Sequence, residues 1–71
     1  MVVEELKEVA RKYLGFNSEK IEKILESSAD EGIEEAINRA EIYSYFFIDK
    51  ESASKMGKEM REIVRAYKIG N

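Results

Sequence analysis

The chain has no cysteine and no histidine, and proline, tryptophan, glutamine and threonine are missing as well. Without cysteine there can be no disulfide, thiolate metal site, redox pair or cysteine nucleophile. Without histidine the usual general base and the commonest metal ligand are gone. No apolar run is long enough to span a bilayer, and the start, Met1-Val2-Val3-Glu4-Glu5-Leu6-Lys7, is acidic and amphipathic, unlike a signal peptide. The lack of cysteine fits a cytoplasmic protein, and no membrane partner is expected.

What is present is 71 residues with 44% apolar and 38% charged side chains and a net charge of −3, too apolar for disorder and short enough for one domain spanning 1–71. Glu and Lys dominate the polar positions, the pattern associated with thermophile proteins. Val3, Leu6, Val9, Ala10, Tyr13 and Leu14 recur at helical spacing and predict a helix over 3–14, with Gly15 as its stop. Asn17 or Ser18 would cap a second helix over 18–28 whose apolar face is Ile21, Ile24 and Leu25. Ser28 and Glu31 have capping-box spacing and open a third helix over 29–48, with Ile33, Ala36, Ile37, Ala40, Tyr43, Ser44 and Phe47 turned inward. Asp49 would cap a fourth over 50–68, with Ala53, Met56, Met60, Ile63, Val64 and Tyr67 on one side. The expected fold is all-α, a compact bundle of four helices.

Candidate chemistry is thin. Ser52-Ala53-Ser54-Lys55 matches Ser-x-x-Lys formally but lacks every companion element, so helix capping is the better reading. The pairs Glu4/Glu8, Glu22/Glu26 and Glu31/Glu35 sit one turn apart and would make only an open, weak cation site. The glycines at 15, 32, 57 and 70 are scattered singly and form no phosphate-cradling loop; Gly57, inside the fourth helix, would mark a close helix crossing. No catalytic residue, metal, cofactor or small-molecule substrate is expected, and the chain does not read as an enzyme.

Two distributions point to association instead. The run Ile42-Tyr43-Ser44-Tyr45-Phe46-Phe47-Ile48 is apolar on more sides than one amphipathic face can hide. Either the other helices wrap it, or a second copy or another protein covers it, with Ile42, Tyr45, Phe46, Met56 and Met60 as the oligomer interface. The charge is also uneven: residues 1–49 hold six Lys/Arg against twelve Asp/Glu, whereas 50–71 hold six against three. Lys55, Lys58, Arg61, Arg65 and Lys68 make a basic stripe on the fourth helix. That stripe either contacts an anion or nucleic acid or neutralises Glu31, Glu34, Glu35 and Glu41 within the assembly; a net acidic chain favours neutralisation.

The segment Leu14-Gly15-Phe16, followed by Ile21, Ile24 and Leu25 and then by Ile33-Glu34-Glu35-Ala36-Ile37, resembles the ubiquitin-associated (UBA) three-helix unit over about 3–40, extended here by a fourth helix. The resemblance implies a protein-binding surface at Leu14, Gly15 and Phe16. The third-helix half of that surface is altered, because Ala40-Glu41 stands where the family often carries an apolar pair. The sequence therefore predicts a small interaction module that binds itself or another protein, with a nucleic-acid-associated regulator as the alternative.

Overall fold

A helix that ends on an exposed glycine can change direction sharply, because glycine takes a left-handed φ at little cost, and the chain does this at Gly15. In the computed structural model, which describes residues 2–70 and their side chains through 68, α1 spans Val2–Leu14 and α2 spans Ser18–Ser28. Between them Gly15–Asn17 forms one 3-10 turn with Gly15 at φ +57°, a left-handed conformation that costs glycine little. The Ser18 N–H closes that turn on the Gly15 carbonyl, so no capping side chain is needed. Asn17 makes no cap bond, and the Ser18 hydroxyl instead donates to Glu22 Oε2 at 2.8 Å.

The third helix, α3, spans Ile33–Ser44, shorter at both ends than the expected 29–48. At its start Ala29–Glu31 form a second 3-10 turn, and Gly32, at φ +132°, breaks the helical path. The Ser28–Glu31 capping box does not form. Arg39 takes both of its side chains, donating to Ser28 Oγ at 3.2 Å and Glu31 Oε2 at 2.5 Å, and so ties α2 to α3. At the other end the amides of Tyr45 and Phe46 bond three residues back, to Ile42 and Tyr43, which tightens the last turn and ends the helix.

The last helix, α4, spans Lys50–Gly70 and starts as expected. The Asp49 carboxylate accepts from the Ser52 amide at 3.1 Å and from the Ser52 hydroxyl at 2.7 Å. Those bonds hold the Asp49 carboxyl below its usual pKa. The fold is all-helical, with no strand among the described residues. Because the first 3-10 turn joins α1 to α2 without a break, the four α-segments form three uninterrupted helical stretches rather than four separate helices.

The helices close a ring: α1 packs on α2 and α4, and α3 packs on the same two from the other side. The radius of gyration is 11.0 Å, close to the ~11 Å of a compact chain of this length. The core holds Leu6, Val9, Ala10 and Leu14 of α1, Ile21 and Leu25 of α2, Ala36, Ile37 and Ala40 of α3, and Ala53, Met56, Met60 and Val64 of α4. Ion pairs staple the edges: Lys7 to Glu26, Arg11 to Glu22 at 2.7 Å, and Lys12 to Glu59 at 2.5 Å. Tyr67, expected inward, is exposed near the end of α4, and a hydrogen bond to Glu5 pushes its phenol pKa up.

Candidate interaction surface

The end of α3 and the turn that follows carry the feature the core does not absorb. Ala36, Ile37, Ala40 and Ser44 take the inward side of α3, which leaves Ile42, Tyr43, Tyr45, Phe46 and Phe47 exposed. Phe46 is 80% exposed and Ile42 58%. Tyr43 and Phe47, expected inside, also lie on the surface: the smaller Ala40 and Ser44 occupy the close approach to the neighbouring helices, and the tightened turn carries Phe47 away. The Tyr43 and Phe46 rings stand 6.2 Å apart at a tilt of 50°, so the exposed groups form one patch.

Met56 and Met60, assigned to an interface from the sequence, are fully buried inside the single chain. They face the α1–α2–α3 side of α4 and have no surface left for a partner, so they leave the candidate interface, and Tyr43 and Phe47 join it. Met side chains at helical spacing carried no signal to separate these roles; only the packing does.

The patch has two flanks. On the α4 flank the Tyr45 hydroxyl donates to Glu41 Oε2 at 3.2 Å, and Arg61 binds Glu41 Oε1 at 3.0 Å and Asn38 Oδ1 at 2.5 Å. This cluster lies across Gly57, where a Cβ would overlap the Glu41 carboxylate and come within 3.0 Å of Arg61. The close crossing expected at Gly57 is therefore a side-chain crossing: the missing Cβ makes room for Glu41. On the α2 flank a shallow groove of about 410 Å³ runs between the helices. Lys20, Lys23, Ile24 and Ser27 form its α2 wall, and Arg39 and Tyr43 its α3 wall. This groove was missed by sequence reasoning because its walls come from two helices whose registry the sequence does not state.

At the α1–α2 turn, Leu14 is buried, Gly15 is exposed, and Phe16 is fully exposed. Since α2 and α3 fold back on each other through the turn at 29–32, the start of α2 with Phe16 lies toward the end of α3 that bears the patch. Of the three residues singled out there, Leu14 belongs to the core and Phe16 to the surface.

The basic stripe is partly consumed within the chain. Lys55 faces Glu51 at 3.6 Å and Arg61 is held by Glu41. Lys58, Arg65 and Lys68 make no ion pair among the described residues. Of the acids expected to neutralise the stripe, Glu41 does so, whereas Glu31 and Glu35 pair with Arg39 instead. The serine and lysine of Ser52-Ala53-Ser54-Lys55 are engaged separately, with Asp49 and with Glu51. No group of three or more metal-ligating side chains converges, and no helix is long and apolar enough to cross a membrane, among the described residues. Comparison with family models, curated proteins and solved structures finds no match to this chain.

Proposed function

We propose that this chain is a small non-catalytic protein–protein interaction module that associates with itself through the end of α3. The observation that carries the reading is the exposure of Ile42, Tyr43, Tyr45, Phe46 and Phe47 on a molecule whose core is otherwise closed. At roughly 150–250 Å² per aromatic side chain, the exposed fractions of these five residues amount to about 500 Å². That lies at the upper end of the apolar patches found on monomers and is more than half of the ~800 Å² that each partner contributes to a standard interface.

The test is the mass of the particle in solution for the parent chain and for Phe46→Glu. Phe46 makes no core contact, so the variant should keep its helical content and melting behaviour while losing association, because a carboxylate would have to be buried in the contact. A Phe46→Glu protein as fully assembled as the parent would refute the proposed surface. The UBA-like reading gains support from one observation, the full exposure of Phe16 beside Gly15. Under that reading a different protein would occupy the same end of the molecule, through Phe16 and the α3 patch but without Leu14.

A further inference from the structure

An isologous contact demands that a surface be complementary to itself, with any protrusion lying beside the recess that its symmetry mate will fill. The end of α3 has this arrangement. Phe46 protrudes from the last turn, 80% exposed. Its ring stands 6.2 Å from that of Tyr43, and Tyr43 is a wall of the 410 Å³ groove between α2 and α3. Knob and recess thus share one edge of one face.

We infer that Phe46 of each chain enters the α2–α3 groove of a second copy, between Ile24 and Tyr43, so that the contact is a reciprocal two-fold exchange of phenyl rings. The inference rests on the self-association reading and names its geometry. Three features of the groove fit a phenyl ring. Ile24 and Tyr43 offer apolar walls, extended by the aliphatic stems of Lys20 and Lys23. Lys20 and Lys23 also line it, and a ring face attracts a cation, whereas the third lining cation, Arg39, is already held by Glu31 and Glu35. No carboxylate lines it. The occupant is a second copy because the chain itself presents the fitting ring next to the recess, and because the exposed apolar patch already supplies more than half of the ~800 Å² that each half of a standard interface buries. Other proteins are the alternative occupant that the experiment separates.

Filling the groove from within tests this. Ser27 is an exposed groove residue, and its hydroxyl makes only a long 3.4 Å bond to the Ile24 carbonyl, so Ser27→Trp should fold while obstructing the recess. Ser54→Trp, on the exposed side of α4, serves as the control. Sedimentation equilibrium should show the parent and Ser54→Trp dimerising alike and Ser27→Trp at least tenfold weaker. If circular dichroism shows Ser27→Trp to be unfolded, Lys20→Trp fills the other part of the same groove and is read in its place. A parent dimer that these groove variants leave unchanged overturns the exchange of rings while leaving self-association intact. A parent chain that stays monomeric overturns the self-association reading and the inference with it.

Discussion

Gly57 illustrates how one missing methyl group can set a contact between helices. In a helix interior glycine is worth about 1 kcal/mol less than alanine. Here the space above it holds the Glu41 carboxylate, which joins Arg61, Asn38 and Tyr45 into one hydrogen-bonded cluster. A Cβ at 57 would meet the far end of a flexible side chain, so Glu41 would swing aside and the cluster would loosen. Gly57→Ala should therefore be nearly neutral in the parent, the helix gain offset by the lost ion pair. In a Glu41→Ala background the same substitution should stabilise by about 1 kcal/mol, since nothing remains to displace. Urea unfolding of the four proteins measures this, and equal effects of Gly57→Ala in both backgrounds would contradict it. The sequence marked Gly57 as an anomaly in an otherwise regular helix. It could not name Glu41, sixteen residues away, as the reason.

At the scale of elements, α1 is bound to its neighbours by carboxylates as well as by its apolar stripe. Lys12 and the Tyr13 hydroxyl both bond Glu59 on α4, and these two bonds, Lys12 first, outweigh burial and hold the Glu59 carboxyl below its usual 4.5. At Glu22 on α2 burial is the largest single influence and pushes the pKa up, but the bonds from Arg11 and Ser18, with Coulombic attraction, together bring it below the usual value. A carboxyl whose folded pKa is depressed contributes stability that is present above its unfolded pKa and lost as pH falls through the folded one. Glu22, Asp49 and Glu59 all have this sign. Thermal stability should hold steady from neutral pH down to about 4.5 and then fall with further acidification. In Glu59→Gln the acid loss should be smaller, a comparison that melting curves from pH 7 to 2.5 provide; identical acid profiles for parent and variant would contradict it.

The elements also show what periodicity conveys and what it omits. The apolar stripes of α1 and α4 were legible because each runs over three turns or more, and Leu6, Val9, Ala10 and Val64 lie in the core where the spacing puts them, whereas Met56 and Met60 on the same stripe were also assigned to an interface that their full burial removes. Asp49 was legible as a cap because its partner, Ser52, is local. The third helix was misjudged at both ends because the deciding contacts are not local. Arg39 draws Ser28 and Glu31 into tertiary bonds, and the 3-10 closure at Tyr45 and Phe46 is followed by the tight passage to α4. Tyr43 and Phe47 fall outside for the same reason: with the helix ended at Ser44, the small residues Ala40 and Ser44 carry the contact that two large aromatics would otherwise crowd.

For the whole molecule, the −3 charge conceals an acidic first 49 residues and a basic last 22, and the two meet within the chain at Arg61–Glu41. Of the five cations of the α4 stripe, Arg61 is held by Glu41 across helices and Lys55 makes only an exposed 3.6 Å pair with Glu51, so the stripe is neutralised only in part within the chain. The apolar content divides differently. Four helical segments suffice to close a core, and the aromatics at the end of α3 are left over, on the surface where the proposed contact between copies would form. Sedimentation equilibrium of the unmodified chain, from micromolar to millimolar concentration, tests this most directly. The expected result is a concentration-dependent rise from the 8.2 kDa of one chain to twice that mass, and a particle that stays at one chain throughout would contradict the proposed contact.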